Sequence, residues 1–137
     1  PDFPGQGDSP SEAVPASAAR YAELLPDLFS ALGLESAVLL GNSIGGAAAI
    51  SFAAAHPDRV TGLVLCNSGG LAPGGLIPRL YCNRMARRFE KGAAGDTGYP
   101  AWFASYYAKI LSGAGADWRR EEIIADGPRT ARVLAEA

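Results

Sequence analysis

A chain of 137 residues with 48% hydrophobic and 19% charged residues has the length and composition of one ordinary globular domain, which excludes intrinsic disorder. Its formal net charge of −2 argues against a nucleic-acid partner, and no apolar run is long enough to span a bilayer. The start, Pro1-Asp2-Phe3-Pro4, has neither the basic region nor the apolar core of a secretory signal. Two cysteines make no disulfide framework. Cys66 closes an apolar run and is expected to be a small buried hydrophobe. Both thiols are read as free, which suits a cytoplasmic protein.

Residues 1–14 mix glycine, proline and acids, the composition of a turn-rich loop. Gly5 and Gly7 are followed by no helix start, lysine or third glycine, so a phosphate cradle is not supported. Over 16–32, Tyr21, Leu24, Leu25, Leu28, Phe29 and Leu32 recur at helical spacing and form one apolar stripe. Pro15 suits the first turn of that helix and Gly33 its C-terminal cap, while Pro26 is expected to kink it. A strand is predicted over 37–42, then a helix over about 44–55. Glycine and alanine lie nearly all round that helix, as in one pressed closely against a sheet. His56-Pro57-Asp58-Arg59 ends it, and Val60 to Cys66 forms a second apolar strand. Two apolar strands joined by a helix predict a parallel βαβ unit, with each strand buried on both faces.

After Asn67 the character changes. Ser68 to Gly75 reads as a flexible link, and helical patterns then follow in series. The first carries Ile77, Leu80, Tyr81, Met85 and Phe89; the second, after Tyr99-Pro100, carries Trp102, Phe103, Tyr106, Tyr107, Ile110 and Leu111. A third is expected around 118–125 with Asp117 as its cap, and a fourth from Pro128 onward. Gly92 to Gly98 reads as loop. Arg79, Arg84, Arg87, Arg88 and Lys91 lie close together and read as a solvated helix face, with a docking surface for a partner or an anionic substrate as the alternative.

One serine stands where the first strand turns into its helix, with Gly41 two residues before and Gly45 two after. That is G-x-S-x-G in a strand–turn–helix context. Reversal within one residue forces the serine into a strained backbone conformation and lifts its hydroxyl to the carboxyl edge of the sheet. Side chains at 41 and 45 are expected to meet neighbouring backbone, hence both glycines. The first-turn N–H groups and the helix dipole point at the same place. Ser43 is therefore the candidate nucleophile and the Ile44 N–H a candidate oxyanion donor. The competing reading is a plain turn with a capping serine.

Taken together, these motifs resemble the α/β-hydrolase superfamily. Asp2-Phe3-Pro4-Gly5-Gln6-Gly7-Asp8-Ser9 is similar to its D-x-P-G-x-G-x-S loop after the fourth strand. Residues 41–46 are similar to its nucleophile elbow, and Ala55-His56-Pro57-Asp58-Arg59-Val60 to its link into the sixth strand. From about Leu76 the chain resembles the family's helical lid in general character only. The resemblance implies an α/β class, a partial α/β-hydrolase fold with core over 1–70 and helical cap over 71–137. It also implies that the chain is the middle of a serine hydrolase. Earlier strands and a second oxyanion N–H then precede Pro1, and the catalytic acid and histidine follow Ala137. A first residue that is not methionine and an end within a helical pattern accord with that expectation. So does a two-stranded sheet with open edges, which needs missing core segments or another chain to complete it.

The only histidine, His56, lies thirteen positions beyond Ser43, or roughly 20 Å along a helix, too far for a base that must come within about 3 Å. Asn67 is not a carboxylate, and Asp96, Asp117 and Asp126 read as caps or solvated charges. The implied partner is a small apolar ester or ketone, with no cofactor and no metal. Trp102, Phe103 and Tyr106 either line its pocket or pack the lid. The elbow followed by Asn67-Ser68-Gly69-Gly70-Leu71 also resembles meta-cleavage-product hydrolases, which split C–C bonds in vinylogous diketones. A general ester hydrolase is the preferred reading, and a non-catalytic hydrolase-fold binding protein is the alternative from another class.

Overall fold

The computed structural model describes residues 1–71, 75–113 and 115–136, so positions 72–74 of the expected link lie outside the described residues. Two compact units are formed, Pro1–Gly74 and Gly75–Glu136. In the first, strands β1 (Ala37–Asn42) and β2 (Val60–Cys66) pair in parallel, with Leu39 opposite Leu63 and Asn42 opposite Cys66. Helix α1 (Ala18–Ala31) precedes β1, and α2 (Ile44–Ala55) makes the crossover between the strands.

Helix α1 starts two residues later than its apolar pattern suggests, because Ser17 caps it. The Ser17 Oγ accepts the Arg20 N–H at 3.1 Å, which leaves Pro15 outside. At the other end Gly33, at φ +65°, donates to the Ser30 carbonyl at 3.2 Å while Leu34 donates to Phe29 at 2.8 Å. That paired closure is the Schellman motif. It leaves Leu32 at the cap and exposed, so the working stripe is Tyr21, Leu25 and Phe29. The helix runs on through Pro26.

Leu25 and Phe29 of α1 meet Phe52 of α2 over one face of the sheet, beside Ala37, Leu39 and Val60. The Phe29 and Phe52 rings lie 5.1 Å apart, and the Arg59 guanidinium sits 4.9 Å over Phe29. The opening loop is tied to α1: Phe3 stacks on Tyr21 at 4.3 Å, and the Tyr21 hydroxyl donates to the Pro4 carbonyl at 3.3 Å.

The expectation that both faces of each strand are buried is corrected here. Side chains alternate along a strand, and α1 and α2 cover the same face. Val38 and Leu40, on the other face, are 62% and 72% exposed. Cys66 is likewise exposed rather than buried, as is Cys82; both are free thiols.

The second unit contains α3 (Leu76–Ala93), α4 (Tyr99–Ile110) and α5 (Asp117–Glu136). Its core is aromatic. Phe89 presents edges to Tyr99, Trp102, Phe103 and Tyr106, and Trp102 stacks on Tyr106 at 5.5 Å. Such edge contacts add about 0.5–1.5 kcal/mol per pair beyond area burial.

Three expectations change. Gly92 and Ala93 are helical, not loop. Asp117 is the first residue of its helix and pairs with Arg120. The third and fourth predicted helices are one, because α5 continues through Pro128. The Pro128 ring removes a helical donor, but tertiary contact holds the helix. Gly127 is buried against the Phe103 ring, where a Cβ would overlap it, and its carbonyl accepts the Tyr99 hydroxyl at 3.4 Å. Asp96 accepts the Gly98 N–H at 2.8 Å and Asp126 pairs with Arg129 at 2.6 Å, so both serve as cap or surface ion pair.

Gly127→Ala is expected to destabilise the second unit by about 1–3 kcal/mol through overpacking against Phe103, read as a lower helical melting midpoint. Burial pushes the Tyr99 and Tyr106 hydroxyls up to about 12. The neutral phenols therefore stabilise the fold fully below the ordinary tyrosine value of about 10. That contribution is lost as pH rises through the folded value. Helicity followed by circular dichroism is expected to hold to about pH 10 and fall toward pH 12.

Candidate active site

Ser43 joins β1 to α2 in a single residue. Its backbone sits at φ +51°, ψ −118°, a region that side chains avoid at about 1–3 kcal/mol. Hydrogen bonds hold it there from both sides. The Ser43 N–H donates to the Cys66 carbonyl at 3.1 Å, extending the pairing with β2. The Ser43 carbonyl accepts the Ala47 N–H at 3.2 Å, starting the helix, and also the Gly69 N–H at 3.1 Å.

The side chain is exposed and makes no cap hydrogen bond. Ser17 has the extended backbone of a cap, φ −157° and ψ 158°, and a bonded hydroxyl. Ser43 has neither, so the capping-serine reading fails on both counts. The Ile44 N–H, at the start of α2, has no hydrogen-bond partner among the described residues. It is one of the donors that every helix start leaves open.

The turn brings two backbone stretches into contact. A Cβ at Gly41 would lie 2.6 Å from the Gly45 carbonyl oxygen and the Gly46 nitrogen. A Cβ at Gly46 would lie 2.5 Å from the Ser68 Oγ and 3.1 Å from the Gly41 oxygen. Gly45 meets nothing within 4 Å, so the expected constraint at 45 is corrected: it falls on Gly41 and Gly46. Gly45 instead borders a cleft of about 260 Å³ with Asp2, Phe3, Gln6, Asn42 and Ile44. Ser68 and Gly69, which enter the sequence reading only as part of a flexible link and through a family likeness, pack and bond against the turn. The visible signal was a run of small residues directly after the second strand.

His56 closes the far end of α2, with its ring 4.8 Å from that of Phe52. Twelve helical residues, about 18 Å, separate it from Ser43. Trp102, Phe103 and Tyr106 belong to the second unit. Phe103 is 1% exposed and lies in its core. Trp102 and Tyr106 are half-buried, and Trp102 carries the Arg88 guanidinium 5.9 Å above its ring. Among the described residues no His, Cys, Asp or Glu group is arranged to hold a metal.

Residues 1–117 match the family model for the alpha/beta hydrolase fold. The chain belongs to the α/β-hydrolase family. Over 78 residues it is 40% identical to a 2-hydroxy-6-oxononadienedioate/2-hydroxy-6-oxononatrienedioate hydrolase of Paraburkholderia phymatum, covering 56% of this chain and 27% of that protein. Over 57 residues it is 42% identical to a 2-hydroxy-6-oxo-6-phenylhexa-2,4-dienoate hydrolase of Comamonas testosteroni, covering 42% of this chain and 20% of that one. Among solved structures, a thermophilic esterase from Thermogutta terrifontis superposes with a TM-score of 0.68 at 25% identity, over all of this chain and 50% of its own. An N-acyl homoserine lactonase shares the fold with a TM-score of 0.65 at 22% identity, over 97% of this chain and 47% of its own. The chain thus spans about half the length of these solved structures, and the matched stretches are about a quarter or less of the two curated relatives.

Gly41→Ala forces a Cβ into backbone that has no room to give, and is expected to cost about 1–3 kcal/mol or more in denaturant unfolding. Gly45→Ala is expected to be neutral or to stabilise by up to about 1 kcal/mol, through helix propensity alone. A larger loss at 45 than at 41 contradicts this assignment.

Proposed function

We propose that this chain carries the nucleophile of a serine hydrolase acting on a carboxylic ester or a related carbonyl compound. The observation that carries the reading is the Ser43 geometry: a strained, triply bonded backbone presenting an unbonded hydroxyl at the start of α2. The Ser43 Oγ attacks the carbonyl carbon, and the Ile44 N–H donates to the oxyanion that forms. With an ester, collapse expels the alcohol, which takes up the proton that Ser43 gave to the base, and leaves an acyl group on Ser43, which water then removes. A histidine outside residues 1–137 takes the serine proton, and an acid outside them orients that histidine. The substrate is a small apolar ester or ketone, and no cofactor enters the chemistry.

A second reading is favoured by the two curated relatives, both named as hydrolases of 2-hydroxy-6-oxo dienoates. In it the same serine site supports cleavage of a C–C bond beside a ketone. Activity of the full-length protein on p-nitrophenyl butyrate, set against a 2-hydroxy-6-oxo dienoate, separates the two. The ester is expected to show the higher kcat/KM.

A serine-directed fluorophosphonate is expected to label the full-length protein at Ser43. Ser43→Ala is expected to abolish labelling and lower kcat by about a thousandfold or more. Absence of labelling in the unaltered protein overturns the enzymatic reading and leaves a non-catalytic ligand-binding protein of this fold.

A further inference from the structure

The two peptides that flank Ser43 are bonded to one short segment, residues 66–69. The peptide between Asn42 and Ser43 donates its N–H to the Cys66 carbonyl at 3.1 Å. The peptide between Ser43 and Ile44 accepts the Gly69 N–H at its oxygen, also at 3.1 Å. The φ and ψ of a residue are rotations between its two flanking peptides, so this segment fixes both. Two left-handed positions shape it: Asn67 at φ +44° and Gly70, just beyond, at φ +81°. Between them Ser68 packs against Gly46, and a Cβ at Gly69 would lie 3.6 Å from that of Ala47. All of these groups belong to the first unit.

The bond from Gly69 bears on the chemistry. In a trans peptide the oxygen and the N–H share one rigid plane and point in opposite directions, and no peptide among the described residues is cis. The Ser43 oxygen and the Ile44 N–H are such a pair, so whatever turns the oxygen turns the N–H through the same angle. A hydrogen bond prefers an angle above about 150° at the hydrogen and weakens steeply below about 120°. A rotation of a few tens of degrees therefore misdirects the donor. Ala47 ties the oxygen only to the first turn of α2, and helix ends fray. Gly69 ties it to the end of β2 as well, and the two donors occupy both lone pairs of the oxygen. Bonds accepted by a carbonyl also polarise its peptide, which strengthens the N–H at the other side.

We propose, on the reading of Ser43 as nucleophile, that Gly69 is a positioning residue for the oxyanion. Its N–H holds the Ser43 oxygen and thereby aims and polarises the Ile44 N–H. Gly69 touches no reacting atom and acts through that single peptide. Backbone atoms alone carry the effect, so no pattern of residue types reports it.

Gly69→Pro removes the donor and Gly69→Ala keeps it. Residues 69 and 70 are the centre of a turn in which only Gly70 has positive φ. That is type II, where proline suits the first central position. An alanine Cβ at 69 meets nothing nearer than 3.6 Å. The test uses the full-length protein and a p-nitrophenyl ester, with active sites counted by fluorophosphonate labelling carried to completion. Gly69→Pro is expected to lower kcat per labelled site by about tenfold to a hundredfold and to leave KM within about twofold. Affinity for an alkyl boronic acid, whose tetrahedral adduct places an oxygen at the oxyanion position, is expected to fall by the same factor. Gly69→Ala is expected to keep all three within about twofold. A merely structural role lowers the melting midpoint and the number of labelled sites, but not kcat per site. Glycolic acid at position 69 replaces the N–H by oxygen without constraining φ. It is expected to give the same loss as proline and decides the matter where proline impairs folding. Unchanged kcat per site in both donor-less variants, or equal losses in Gly69→Ala and Gly69→Pro, overturns the role of Gly69 alone. An unaltered protein that neither labels nor turns over ester overturns the nucleophile reading and this role with it.

Discussion

Between Gly41 and Gly46 two stretches of backbone lie closer than any side chain allows, and the first unit is arranged around that contact. It permits β1 to end and α2 to begin within one residue. The residue caught between them, Ser43, takes a backbone conformation that costs energy in isolation. Three hydrogen bonds, to β2, to α2 and to the loop after β2, hold it there. A serine pinned by its backbone has its side chain left over, and this one is aimed at solvent beside an open helical N–H. Strain of this kind persists only where the surroundings over-determine it, and here strand, helix and loop all do so.

Much of this was legible in the residues. The G-x-S-x-G pattern between an apolar run and a small-residue helix located the turn, and the apolar periodicities located α1, β1, α2 and β2. The steric role of the glycines was only half visible. A motif gives spacing, but which glycine faces backbone depends on how the loop after the second strand returns, and that is tertiary information. Burial was overestimated for the same reason. Val38, Leu40 and Cys66 are apolar in composition, yet α1 and α2 both pack on the opposite face, which no pattern within the strand reveals.

The second unit shows where local rules yield to packing. Pro128 reads as a helix boundary by its chemistry, and it is not one. Gly127 beside it fits the Phe103 ring, and that contact, with the Tyr99 hydroxyl on the Gly127 carbonyl, carries the helix across the break. Phe103 likewise reads as a pocket wall or as packing, and its burial follows from the Phe89, Tyr99 and Tyr107 rings around it. Helical spacing identifies one face of α3 as apolar, but only the fold separates the turns that pack, around Met85 and Phe89, from those that do not, around Ile77 and Leu80.

The Ser43 carbonyl oxygen has two donors, Ala47 of the helix and Gly69 of the loop that leads out of the first unit. Only six residues lie between Gly69 and Leu76, where α3 begins. The latch on the elbow and the tether to the helical unit are therefore one short length of chain. A pull on that tether large enough to shift residue 69 reaches the backbone of the serine directly, with no side chain as intermediary.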